Sequence, residues 1–117
     1  MVTILGQTVI QKIFAQASGK DHVRIGEIVF PDAYRVLSHD NSSAISQTFE
    51  KMGANHVWNP DRIVIVLDHA VPPPDSSKAK SHSIIRTFVH NQQIKHFYEA
   101  GSGICHQVSH RVLWNGL

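Results

Sequence analysis

The chain has 117 residues, of which 42% are hydrophobic and 17% are charged, and its formal net charge is +2 with neutral histidines. This length and composition predict one small globular domain and exclude a disordered chain. The weak net charge and the scattered Lys and Arg side chains argue against a nucleic-acid partner. The single cysteine, Cys105, excludes an internal disulfide and favours a reducing compartment.

The N-terminal stretch MVTILGQTVIQKIF does not resemble a secretory signal peptide. It has no basic start, and polar side chains interrupt its apolar residues. Nowhere does the sequence approach the run of roughly 18 apolar residues that a membrane span requires. We therefore expect a cytoplasmic protein with no membrane partner.

The first part of the chain alternates helical and extended patterns. Residues 7–17 place apolar side chains on one helical stripe, and Gly19 is suited to end that helix. Short extended pieces are predicted at 27–30 and 34–37. A second helix is predicted over 41–53, with Asn and Ser side chains at its start that can cap it.

The second part continues this alternation. Residues 62–67 form a strand that is apolar on both faces, as in a buried parallel strand. A helix over 75–92 and a short strand over 94–98 follow, and the tail 109–117 shows no closing element. The order strand, helix, strand, helix, strand over 34–98 predicts an α/β fold, part of a three-layer α/β/α structure with a mostly parallel sheet.

Three clusters of polar side chains follow the predicted strands. They are Ser38-His39-Asp40, Asp68-His69 and Cys105-His106-Gln107. Because ligands bind outside the carboxyl ends of the strands in open α/β sheets, we expect the three clusters to meet at one edge and to form a site.

The adjacent Asp68 and His69 suggest proton transfer. A carboxylate can orient an imidazole and raise its basicity, which makes the imidazole a proton donor near neutral pH. Structural interpretations remain open for each cluster. Asp40 can cap the next helix, and His106 can be a polar side chain satisfied by its neighbours. A capping role is weaker for Asp68, because prolines follow it rather than a helix.

The sequence holds nine histidines, most of which we interpret as surface residues. No predicted helix carries two histidines four positions apart, so a local zinc site is not expected. A zinc site made by His69 and His106 with Asp68 or Asp40 remains an alternative if these side chains lie close together. Cys105 is interpreted as a buried, inert thiol rather than a reactive one.

Three motifs resemble the start of the aconitase superfamily. They are LSHDNSSAI at 37–45, RIVIVLDHAVPPPD at 62–75 and GSGICHQV at 101–108. The likeness is greatest to the large subunits of 3-isopropylmalate dehydratase and homoaconitase, and it extends over about residues 5–108. The order and spacing of the motifs both match, so the set is specific.

The resemblance implies a hydro-lyase that isomerises a hydroxy di- or tricarboxylate by dehydration and rehydration at a 4Fe-4S cluster. By position, Asp68 and His69 match the pair that helps to protonate the departing hydroxyl, and His106 matches a histidine of the same catalytic network. His39 matches a contact to a substrate carboxylate, and Asp40 supports that substrate-binding site. Isopropylmalate, homocitrate and methylated malates all remain open as substrates.

The sequence also departs from the family pattern. Members of the family are several times longer, and one cysteine does not suffice for a cluster that takes three. We therefore expect residues 1–117 to be a single incomplete aconitase-type domain with an atypical tail at 109–117. By itself this domain would bind no cluster and would be inactive.

The expected partners follow from the same resemblance. They are the missing C-terminal domains or a small swivelling subunit, and a second copy of the chain through an exposed sheet edge. The alternative to an enzyme part is a non-catalytic module that binds a carboxylate or another protein.

Overall fold

Contacts divide the chain into two compact units, Met1–Tyr34 and Arg35–Leu117. The structure, a computed structural model, describes residues 6–114, with side chains as far as Arg111. No helix in this described part is long and apolar enough to cross a membrane.

The described residues of the first unit form one helix, α1 (Val9–Ala17), which begins two residues after the predicted start. Thr8 and Gln11 form a capping box, in which Thr8 Oγ1 accepts the Gln11 N–H and Gln11 Oε1 accepts the Thr8 N–H. The predicted extended piece at 27–30 is not a strand, because its backbone joins no sheet ladder. Phe30, at the end of that piece, is 90% exposed.

The second unit contains a three-stranded parallel sheet in the order β1-β2-β3. The strands are β1 (Val36–Ser38), β2 (Ile63–Val66) and β3 (His96–Tyr98). The helices are α2 (Ser42–Lys51), α3 (Ser76–Asn91) and α4 (Cys105–Trp114). In register, Val64 of β2 lies between Leu37 of β1 and His96 of β3.

Helices cover both faces of β2, which explains its unbroken apolar sequence. Ile65 and Leu67 pack in a cluster with residues of α3, whereas Val64 and Val66 pack in a second cluster with residues of α4. Helix α2 packs beside α3. A strand buried on both faces loses apolar surface to both layers. The structure thereby confirms the predicted partial α/β/α arrangement with a parallel sheet.

Helix α3 begins as its sequence predicts, whereas α2 does not. Asp75 caps α3 by accepting the Lys78 N–H at 2.8 Å. Asn41 occupies the N-cap position of α2, but its side chain makes no capping bond. Instead, the Ser42 hydroxyl donates to the His39 carbonyl at 2.6 Å, which joins α2 to the loop after β1.

Helix α4 corrects the expectation that the tail has no closing element. It continues through Trp114, and only residues 115–117 of the tail lie outside the described residues. The described buried face of α4 consists of Cys105, Val108 and Ser109. That face is short and includes the polar Ser109, so the sequence pattern does not predict this helix.

Candidate functional site

Asp40, in the loop between β1 and α2, connects the polar clusters. Its Oδ1 accepts the backbone N–H groups of Asp68 at 2.8 Å and His69 at 3.1 Å. Its Oδ2 accepts the N–H of Ala70 at 2.8 Å and lies 2.9 Å from Nε2 of His82. A single carboxylate therefore ties the loop after β2 to the loop after β1.

This environment keeps Asp40 ionised. Burial alone would raise the pKa of its carboxyl group, but the bonds from Ala70, His82, Asp68 and His69 outweigh burial and hold that pKa well below its ordinary value. The negative charge is thus balanced by N–H dipoles. The proposed alternative for Asp40, a cap on α2, is not what the carboxylate does.

Asp68 is the second organising carboxylate. It follows β2 directly, and its side chain is 7% exposed. Its Oδ2 accepts the N–H of Cys105 at the start of α4, at 2.6 Å, while its Oδ1 lies 2.5 Å from Nδ1 of His69. Asp68 therefore meets the third cluster and orients the imidazole beside it.

The ionisation of Asp68 and Cys105 follows from this geometry. Burial would raise the pKa of Asp68, but the Cys105 N–H and the His69 imidazole hold that pKa below its ordinary value. Burial raises the pKa of the Cys105 thiol, and the neighbouring Asp68 carboxylate raises it further. Asp68 is consequently an anion at neutral pH and Cys105 a neutral thiol.

Two imidazoles form the open side of the cluster. The rings of His39 and His69 stack with their centroids 3.9 Å apart and their planes 15° apart. The His69 side chain is 56% exposed. The Nδ1 atom of His39 is buried and has no hydrogen-bond partner among the described residues. A buried nitrogen without a partner is costly.

His106 is placed differently from the other predicted site residues. It lies in the first turn of α4, is exposed, and its Nδ1 is 3.3 Å from Cys105 Sγ. Its ring is not part of the group of potential ligand atoms formed by His39, Asp40, Asp68 and His69. The three clusters meet as predicted, but through the Cys105 backbone rather than through the His106 ring.

Helix α4 carries a pair of histidines at a spacing that the predicted helices lack. It places His106 and His110 four positions apart on one helix, the spacing that no predicted helix provided. Neither histidine belongs to the group of potential metal ligands found among the described residues. Both residues are exposed.

His82 is a site residue that the sequence patterns did not single out. It lies on α3, is 2% exposed, and contacts Asp40 directly. A signal for it exists in the sequence. His82, Ile85 and Val89 recur at helical spacing, so a polar side chain stands on the apolar face of a predicted helix.

The cluster consists of histidine and aspartate side chains, which are residue types that bind metal ions. One ligand atom each from His39, Asp40, Asp68 and His69 lies within 4.8 Å of the others. However, each oxygen of Asp40 and Asp68 already accepts or faces a nitrogen at 3.1 Å or less. A cation would have to share these oxygens with their present nitrogen partners. The zinc alternative would also use His39 in place of His106.

An iron–sulfur cluster does not fit the donors of this chain. Such clusters are held by several cysteine thiolates. The whole sequence has one cysteine, and Cys105 is 1% exposed with a raised thiol pKa. We therefore assign no cluster ligand here and derive no chemical step through a cluster.

No protein-family model matches the chain. Curated relatives do match it. The chain is 43% identical over 105 residues to the probable 3-isopropylmalate dehydratase large subunit of Methanothermobacter thermautotrophicus, and 41% identical over 105 residues to 3-isopropylmalate dehydratase large subunit 1 of Methanopyrus kandleri. It is 33% identical over 101 residues to the methanogen homoaconitase large subunit of Methanocaldococcus jannaschii.

These alignments cover 89%, 89% and 86% of the chain. They cover 25%, 25% and 24% of the relatives. The chain therefore spans about a quarter of the length of the curated relatives it matches.

Proposed function

We propose that this chain, which belongs to the family of 3-isopropylmalate dehydratase and homoaconitase large subunits, supplies proton-transfer and carboxylate-binding residues to a hydro-lyase. The substrate class is a hydroxy di- or tricarboxylic acid. The observation that carries the proposal is the pair formed by Asp68 and His69, in which the carboxylate is anchored to α4 and holds the imidazole at 2.5 Å.

The proposed chemistry is the protonation of a departing hydroxyl. Dehydration breaks a C–O bond, and the hydroxyl leaves more easily as water. Since Nδ1 of His69 is engaged by Asp68, Nε2 is the nitrogen that delivers the proton to the hydroxyl oxygen. Asp68 stabilises the imidazolium before transfer, and rehydration returns the proton. The proton on the neighbouring carbon leaves to a base outside this cluster.

Binding of the substrate is proposed for the neighbouring imidazoles. The His39 ring stacks on the exposed His69 ring, and its Nδ1 has no partner among the described residues, which supports a role for His39 in contacting a substrate carboxylate. Asp40 supports the same place by holding the loop that carries His69. His106, exposed in the first turn of α4, is proposed to join the network around the hydroxyl or the released water.

Activity is proposed for the chain only together with the remainder of such an enzyme. The partners are the rest of a large subunit and the small subunit that the term large subunit implies. The iron–sulfur cofactor of the family would be held there, because this chain has one thiol. A cytoplasmic location, predicted from the sequence, completes the proposal.

A hybrid enzyme tests the proposal. The segment of the Methanothermobacter thermautotrophicus relative that matches this chain is replaced by this chain, assembled anaerobically with the small subunit, and assayed for hydration of an unsaturated dicarboxylate. We expect His69→Gln and Asp68→Asn to lower kcat by about 100-fold, the lower range for a lost general acid. The matched control is His56→Gln, an exposed histidine outside the site, which should keep kcat. Unchanged turnover in His69→Gln would refute the proposal.

A carboxylate-binding module is the second candidate, and the buried Nδ1 of His39 favours it. It predicts that the 117-residue chain binds a hydroxy dicarboxylate by calorimetry and that His39→Leu abolishes the binding. Binding by the chain combined with an inactive hybrid would favour this candidate over the enzyme part.

A further inference from the structure

The buried histidine of α3 has no role in the proton transfer proposed above. His82 is 2% exposed and lies in the helix whose Ile85 and Val89 belong to the core. A polar ring in such a place requires a partner, because an unpaired buried polar group is destabilising. The partner is Asp40, whose Oδ2 lies 2.9 Å from His82 Nε2.

This contact assigns the proton on the ring. Asp40 is an ionised carboxylate, so it only accepts hydrogen bonds, and Nε2 of His82 must therefore carry the hydrogen. The same oxygen accepts the Ala70 N–H at 2.8 Å. His82 and the backbone of the loop after β2 thus share one acceptor atom.

Three segments of the chain meet at Asp40. The carboxylate comes from the loop after β1, its backbone donors come from residues 68–70 after β2, and its side-chain donor comes from α3. The donors stand 28 to 42 residues away along the chain. Asp40 is therefore held in place from the α3 side, while it holds the loop that contains Asp68 and His69.

We propose that His82 is a positioning residue: its imidazole fixes the Asp40 carboxylate, and Asp40 in turn fixes the backbone that carries the Asp68–His69 pair. The consequence for turnover rests on the proposed function, whereas the positioning of residues 68–70 does not. His82 itself touches no reacting group.

The test uses two readouts and matched variants. In His82→Leu the donor to Asp40 is lost. In His82→Gln the amide nitrogen can replace Nε2, and in His82→Asn the amide is too short to reach. The control is His90→Leu, an exposed histidine on the same helix.

The first readout is amide hydrogen exchange in the full 117-residue chain. We expect His82→Leu and His82→Asn to speed exchange at Asp68, His69 and Ala70 by about tenfold relative to the β2 amides, as expected for the loss of one hydrogen bond to a charged group. His82→Gln and His90→Leu should stay near the wild-type rates. If His82→Leu fails to fold, the test is the difference in exchange rate at residues 68–70 between His82→Asn and His82→Gln.

Equal exchange at residues 68–70 in the Asn and Gln variants would overturn the inference.

The second readout is turnover of the hybrid enzyme, in which His82→Leu should lower kcat by about tenfold with KM kept and His82→Gln should restore kcat. Faster exchange combined with a hybrid that is inactive even with the wild-type chain supports the positioning role and counts against the proposed function alone.

Discussion

At the scale of single residues, Asp40 shows how position along the chain and role in the fold can differ. Its place after β1 suggested either support for a substrate or a cap on α2. In the structure its two oxygens accept four N–H groups, three from the backbone of one loop and one from His82. Such a carboxylate organises the site and has little capacity left for a ligand.

The substitution Asp40→Asn tests this role. The amide loses the charge and turns an NH₂ group toward one or more N–H donors, so we expect the free energy of unfolding to fall by about 2 kcal/mol at pH 7. Urea denaturation measures the loss. Asp75→Asn is the matched control, since Asn caps helices about as well as Asp and should change stability little.

The pH dependence of that difference follows from the depressed pKa of Asp40. Its stabilising contribution is complete above the unfolded-state pKa of about 4 and is lost as the pH falls toward the lower folded-state pKa. The gap between wild type and Asp40→Asn should therefore shrink progressively below about pH 4. A gap of the same size at pH 3 and pH 7 would contradict the assignment.

At the scale of elements, the start of α4 joins the sheet to the site. Asp68 accepts the Cys105 N–H, so a carboxylate from the loop after β2 lies at the N-terminus of α4, where negative charge is favourable. Gly103, two residues before the start of α4, lets the backbone turn into this helix. It has φ of +131°, and a Cβ added there would lie 3.2 Å from Val108 Cγ2.

The substitution Gly103→Ala should accordingly lower stability by about 1–3 kcal/mol, because the backbone strain and the close contact add up. Thermal denaturation followed by circular dichroism measures the change. Gly6→Ala is the control, since its added Cβ meets nothing within 4 Å and its φ is not in the positive range. Equal melting temperatures for the two variants would show that α4 can shift without cost.

At the scale of the whole molecule, the described residues leave much apolar surface uncovered. Ile25 is 96% exposed and Phe30 is 90% exposed in the first unit. In the second unit, β1 and β3 each pair with β2 only, so each has one unpaired edge among the described residues. Surface of this kind is typical of contact with another chain.

We expect the isolated chain to associate through the sheet edge at β1. Sedimentation velocity at rising concentration should show species above the 13.1 kDa monomer. Val36→Lys, which places a charge on that edge strand, should shift the distribution toward monomer. Met52→Lys is the control, because Met52 is 79% exposed but lies at the end of α2, away from the strand. An unchanged distribution in Val36→Lys would place the contact elsewhere.

The sequence by itself determined the order of elements over residues 34–98, the parallel sheet and the meeting of the polar clusters. Local patterns suffice for these features, because β2 is apolar on both faces and the carboxyl ends of parallel strands lie at one edge. The pairing of Asp68 with His69 was equally readable, since the two residues are neighbours. The family resemblance rested on the same short motifs, and the homologous large subunits confirm it.

Only the tertiary structure decided which groups bind one another inside the site. Asp40 takes its donors from residues 28 to 42 positions away, and Asp68 takes its own from Cys105, 37 positions away. The packing of the layers also decides three further features. They are the inward orientation of the His82 side chain, the length of α4 and the separate position of the His106 ring. No local pattern encodes such partners, because hydrogen bonds across layers form only after the burial of β2 has brought distant loops together.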